Sequence, residues 1–208
     1  LLLLLMNTQL RIGHFSPDAP AVNVSANGDT LLEGVSFGTL GEYVEIDSGS
    51  YDVEVVPEAG GDAVISATLA LDDETDYTVL AVGMLSDIEP LVLTDDRPSI
   101  DDDSSRVRFV HTAPDAPAVD VVADGATLFE EIAFGASTEF ATVESGRRDI
   151  DVRPNGSDDV VLNRPGIEFD GATAYTVLAT GTLAGETLDA TVAADYVWAE
   201  ADDRVAPA

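Results

Sequence analysis

The segment that opens at Arg11, Arg-Ile-Gly-His-Phe-Ser-Pro-Asp-Ala-Pro-Ala-Val-Asn-Val, returns at Arg108 as Arg-Phe-Val-His-Thr-Ala-Pro-Asp-Ala-Pro-Ala-Val-Asp-Val. The match runs on without a gap through Gly28 and Gly125, Thr30 and Thr127, Gly38 and Gly135, Gly49 and Gly146, and Pro57 and Pro154. After a slip of one residue, Tyr77-Thr-Val-Leu pairs with Tyr175-Thr-Val-Leu. A solenoid repeats every 20–50 residues or so, and this unit is far longer, so each copy is a whole domain. The 208 residues divide into an N-terminal extended segment (1–10), a first domain (11–94), an acidic linker (95–105), a second domain (106–195) and a C-terminal tail (196–208). Domains of about 100 residues can each bury a modest core.

Within each copy the apolar residues alternate with polar ones. Ala21-Val-Asn-Val, Tyr43-Val-Glu-Ile, Tyr51-Asp-Val-Glu-Val and Ile150-Asp-Val-Arg all show period two, the mark of strands with one wet face. Tyr77-Thr-Val-Leu-Ala-Val and its partner at Tyr175 read as strands buried on both faces. Asn27-Gly28, Asp124-Gly125, Ser48-Gly49, Ser145-Gly146, Gly60-Gly61 and Asn155-Gly156 supply turns between them. This pattern predicts an all-β fold: two tandem β-sandwich domains of immunoglobulin-like type. Residues 127–132 come nearest to a helical period, enough for one short turn at most. The repeated Pro17-Asp18-Ala19-Pro20 and Pro114-Asp115-Ala116-Pro117 blocks should bend the chain out of one strand and launch the next. Each Pro fixes φ, and the Asp is expected to bond the backbone just ahead.

Charge narrows the function. There are 40 acidic residues against nine basic ones, all Arg, for a formal net charge of −31. Lys is absent. That much like charge repels itself in dilute buffer and is screened in molar salt, where the Debye length falls to ~3 Å. The composition points to a salt-loving source. It argues against nucleic acid and anionic lipid as partners, because both need a basic patch. Without Cys there is no disulfide framework, thiolate metal site or Cys nucleophile. No apolar run reaches the ~20 residues of a membrane span.

Candidate sites are few. His14 and His111 occupy equivalent positions. The structural reading has each ring bonding a backbone carbonyl or the nearby Asp18 or Asp115; the functional one has the two meeting at an interface to bind metal or sense pH. One His per domain is short of the three or four ligands a metal site gathers, so neither metal nor cofactor is expected. No nucleophile elbow, zincin helix or phosphate-cradling loop occurs, and the chain reads as a non-enzyme. The Asp101-Asp-Asp run lacks calcium-loop spacing and reads as solvated linker. Asn23 and Asn155 sit in Asn-x-Ser triplets, acceptors for N-glycosylation by pattern. Trp198, the single Trp, lies in the tail and suits a capping role.

The block Arg-x-x-His-x-x-Pro-Asp-Ala-Pro-x-Val-Asp-Val, followed by an Asn/Asp-Gly turn and a Phe-Gly, resembles the DUF4397 family, a domain of unknown function. Both copies carry it; the first has Asn23 where the second has Asp120. The resemblance implies a β-sandwich and an extracellular or cell-surface location, and the acidic, Lys-free composition is similar to haloarchaeal members. It implies no catalytic residues.

Leu1, Leu2, Leu3, Leu4 and Leu5 form a homopolymer. It is the remnant of a secretion leader, a run standing in for unidentified side chains, or an extended apolar strand that docks. On the third reading these leucines, with Leu10 and Ile12, form an intersubunit strand. The leading expectation is therefore an extracellular structural or adhesive surface protein, a filament subunit assembled by β-strand addition, whose partners are its own copies or other surface proteins. The alternative is an extracellular module binding a glycan or small ligand.

Overall fold

In a computed structural model the chain is built from strands, with one short 3-10 turn at Leu85–Asp87 and no α-helix among the described residues, which are 8–95, 97 and 99–197. It separates into two compact units, Leu1–Asp96 and Arg97–Ala208. Both are two-sheet sandwiches, as the alternation and turn spacing require.

In the first unit, β1 (Gln9–Phe15), β4 (Thr39–Leu40), β5 (Val44–Glu45), β8 (Asp76–Val82) and β9 (Glu89–Asp95) form one sheet. Its order is β4-β1-β8-β9, with β5 also on β1. The facing sheet has the order β3-β2-β6-β7, from β2 (Val22–Ala26), β3 (Asp29–Val35), β6 (Gly49–Pro57) and β7 (Ile65–Leu71). The second unit repeats this plan. One sheet runs β13-β10-β16-β17, from β10 (Ser104–His111), β13 (Ala141–Glu144), β16 (Thr173–Thr180) and β17 (Asp189–Val197). The other runs β12-β11-β14-β15, from β11 (Val119–Ala123), β12 (Ala126–Ile132), β14 (Gly146–Pro154) and β15 (Leu162–Phe169).

The opening strand of each unit pairs in parallel with the penultimate one: Gln9 lies beside Asp76 and Phe15 beside Val82, and Ser105 lies beside Thr173. Gln9 thus starts β1 where Asp95, opposite Asp76, ends β9. The chain enters and leaves the first sandwich at the same end, and the Pro-Asp-Ala-Pro loop sits at the other.

Local chemistry explains the elements. Asn27 and Gly28 (φ 51° and 87°), like Asp124 and Gly125 (49° and 83°), form two-residue hairpins with both φ positive. Such turns match the twist of the strands they join and favour Asn/Asp-Gly. The Asn27 and Asp124 side chains also accept the amides of Asp52 and Asp149. Residues 127–132 are strand, not helical turn. Their helix-like spacing comes from a bulge: Val121 faces Phe129 while Val119 faces Ile132, with Glu131 at φ 55°. The extra residue lets two apolar side chains three apart point into the same core.

The strands reach past the boundaries that composition suggests. Asp95 belongs to β9, Ser104 and Ser105 to β10, and Asp195 to β17. Between the units, Ile100 is buried, and the carbonyls of Asp101 and Asp103 accept from Ala172 and Ser145. The stretch read as a solvated linker is therefore partly docked on the second domain.

Candidate functional site: a buried ladder, a loop clamp and an open cleft

Arg11 on β1 and Arg108 on β10 are charged, yet each is only 3% exposed. The outer face of this sheet is covered by the segment after β3 or β12, which lays Tyr43 or Phe140 over the guanidinium. The ring centroids are 4.5 and 5.0 Å from the cation, within cation–π range. Beneath the ring runs a polar ladder. Arg11 Nε donates to Thr78 Oγ1 (2.7 Å), and Thr78 Oγ1 donates to Asp95 Oδ2 (2.6 Å). The second copy repeats it: Arg108 to Thr176 (2.8 Å) and Thr176 to Asp195 (2.6 Å). The Tyr43 hydroxyl donates to Asp95 as well (2.8 Å), a bond Phe140 cannot make. The ladder ties the first strand of each domain to its last two.

Both histidines take the structural role. Nε2 of His14 and of His111 donates to the carbonyl of Pro20 and of Pro117 (3.0 Å each). Nδ1 accepts the amide of Ser16 and of Ala113 (3.3 Å each). This is the neutral ring, and burial lowers both pKa values against a smaller opposing effect of the Pro carbonyls. The unfolded rings take up protons near pH 6.5, so below about that value the unfolded state binds more protons. Stability present above it is then lost as pH falls toward the lowered folded values. We expect a lower denaturant midpoint at pH 5.5 than at 7.5. The difference should shrink in His14→Gln/His111→Gln, whose side-chain amides can still donate to the Pro carbonyls.

The Asp of each Pro-Asp-Ala-Pro block reaches farther than a local turn. Asp18 Oδ1 accepts the amide of Leu85 (2.7 Å), and Asp115 accepts those of Leu183 and Ala184 (2.7 and 2.8 Å). The block therefore clamps the loop between the last two strands. Gly181 makes that loop possible: φ is +85°, and a Cβ there would sit 2.1 Å from the Thr187 carbonyl oxygen.

Asn23 and Asp120 do the same work with different chemistry. Asn23 Oδ1 accepts the amide of Gly34, and Asp120 Oδ1 that of Glu131 (2.8 Å each), which pins the bulge. Asp120 also accepts from Asn155 Nδ2 and the Gly156 amide. Chiefly through the Asn155 bond, its pKa is lowered. Of the two glycosylation candidates, Asn155 is exposed in a turn and Asn23 half-buried on a strand.

The two domains differ in side chains between β7 and β9, which end their sheets on the same side. Pro90 and Val92 lie opposite Ala81 and Val79 and share their inward face. Pro90 is nonetheless exposed, and Val92 is 43% exposed. Across from them on β7 stands Ala67, opposite Val53. The equivalent of Ala67 in the second domain is Arg164, opposite Ile150. Its guanidinium donates to the Ala190 carbonyl (3.1 Å) and pairs with Asp189 (3.2 Å). That strap joins β15 to β17, while the first domain leaves the cleft between its edge strands open.

The leucines at positions 1–5 lie outside the described residues. Leu10 and Ile12 are in β1, paired with β5 or β4 on one side and β8 on the other, and they pack in their own core. They cannot serve a neighbour without leaving it. Among the described residues, no group of three His, Asp or Glu side chains gathers as a metal site, and no helix is long and apolar enough to cross a membrane.

Fold and site together define a tandem pair of β-sandwich modules built around buried structural polar networks. The model of the DUF4397 family, a domain of unknown function, matches residues 8–122 and 105–206. The chain belongs to that family, and it carries two copies of the domain. No curated protein matches it. Among solved structures, a carbohydrate-binding module in complex with maltoheptaose, CBMbc of family CBM26 from Eubacterium rectale Amy13K, aligns at 11% identity. The alignment covers 91% of this chain and 97% of that one with a TM-score of 0.28, and at that level it carries no functional argument.

Proposed function

We propose that this chain is an extracellular structural or adhesive surface protein of a salt-loving organism, and that its copies assemble into a filament by β-strand addition. The observation that carries this reading is the open cleft of the first domain. There β7 ends its sheet as a seven-residue strand, and apolar side chains lie between it and Pro90 and Val92 of β9. A seven-residue extended segment matches that length, and such edges recruit strands unless they are blunted. The segment at residues 1–7, with its five leucines, is the donor. Its alternate side chains would enter the cleft of another copy.

Electron microscopy of the protein in 3 M KCl tests this. The full chain should form filaments or defined oligomers, and a chain lacking residues 1–7 should be dispersed. A monomeric full chain in molar salt would overturn the assembly. The second reading, binding of a small ligand, is favoured by the cavity that the cleft leads into.

A further inference from the structure

Among the described residues, the buried side chains of the first domain include two clusters bridged by Ile12. Val22, Val24, Val35, Val55, Ile65 and Ala81 make one cluster, and Leu10, Leu71 and Tyr77 make another. A cavity of about 90 Å³ lies between the sheets, lined almost wholly by aliphatic groups and reaching Pro90 and Val92 at the open cleft. At several of the equivalent positions the second domain carries larger apolar residues: Phe109 stands for Ile12, Ile132 for Val35, Ile150 for Val53 and Phe169 for Leu71, though Val107 stands for Leu10, and one cluster runs through that core. The same comparison replaces Arg164 by Ala67 at the mouth. Core truncations and an unlatched entrance thus coincide in one copy.

An unfilled apolar cavity costs stability in proportion to its volume, roughly 24 cal/mol per Å³. Cavities of this chemistry stay dry and take up small apolar molecules. We infer that the first domain is a binding site for a small, uncharged aliphatic molecule, such as a short alkanol, entering between β7 and β9. Charge selects the class. No arginine lines the cavity, and His14, which does, is a neutral ring with both nitrogens bonded; Glu89 starts β9, and a net charge of −31 disfavours a carboxylate of the same length. The inference does not rest on filament assembly, since a single chain carries the whole site.

The test is methyl NMR of the full chain in molar salt, diluted until it is monomeric so that no neighbour's strand occupies the cleft, and titrated with 1-hexanol and, separately, hexanoate. Hexanol should shift the methyls of Ile12, Leu69, Val79 and Val92 while Val121 and Val177 in the second domain stay put. Hexanoate should bind at least tenfold more weakly. Ile12→Phe/Leu71→Phe, which copies the second domain, should weaken hexanol binding at least tenfold. Ala67→Arg, placed across from Glu89, should slow or block entry without touching the floor of the cavity, and it serves if the double variant fails to fold. Shifts that are absent, that are equal in both domains, or that persist in both variants would overturn the inference, whether or not filaments form.

Discussion

Arg108→Ala will unfold the second domain well before the first. The substitution removes the cation from a ladder whose side chains are 4% and 2% exposed at Arg108 and Asp195. Asp195 is left buried without the guanidinium that faces it. Removing one member of a buried pair costs about 3–5 kcal/mol, which for a domain of this size lowers the melting temperature by upwards of about 12 °C. Differential scanning calorimetry should show one of two transitions moving. Arg11→Ala should move the other transition, that of the first domain, where the Tyr43 hydroxyl still donates to Asp95. A shift under about 4 °C for Arg108→Ala would mean that the ladder does not hold the strands together.

Withdrawal of salt has the second large effect. With 40 acidic and nine basic residues, the folded chain concentrates like charge that the unfolded chain spreads out. The Debye length falls from ~10 Å at 0.1 M to ~3 Å at 1 M, so repulsion across a domain is nearly removed in the stronger solution. We expect both domains to melt roughly 10 °C or more lower in 0.1 M KCl than in 3 M KCl, the equivalent of about 2 kcal/mol in each. Sodium sulfate matched for ionic strength separates screening from ion-specific effects. A flat salt dependence would remove the reading of a salt-loving source.

Much of the fold is legible in the residues because it is local. Alternation in Tyr51-Asp-Val-Glu-Val and the Asn27-Gly28 turn declare a strand and a hairpin before any contact is known. The continuous apolar run at Tyr77 marks β8, a central strand whose two faces are both covered. What stayed hidden is long-range. Arg11 is charged, and no local pattern says that the chain near Tyr43 folds over it. Asp18 reads as a turn former, but its partner is the amide of Leu85, far along the chain.

The repeat did hold a signal for the ladder. Arg11 and Arg108, Thr78 and Thr176, and Asp95 and Asp195 are kept alike while the apolar residues around them change. The cleft shows only in the opposite comparison, where Ala67 meets Arg164 and Ile12 meets Phe109. Conserved polar residues mark what both domains need to fold, and divergent apolar ones mark where the first domain has been left open. The pull of a bulge on spacing, at Phe129 and Ile132, is a third lesson. Period alone cannot separate a bulged strand from a short helical turn.

Backbone amide hydrogen exchange along the edge strands tests the strand-addition account most directly. It compares the assembled full chain in 3 M KCl with a chain lacking residues 1–7. Strand addition should slow exchange at least tenfold on β7 and β9 in the assembly, with β15 and β17 unchanged behind the Arg164 strap. Equal exchange on β7 and β9 in the two samples, or protection gained alike in both domains, would contradict it.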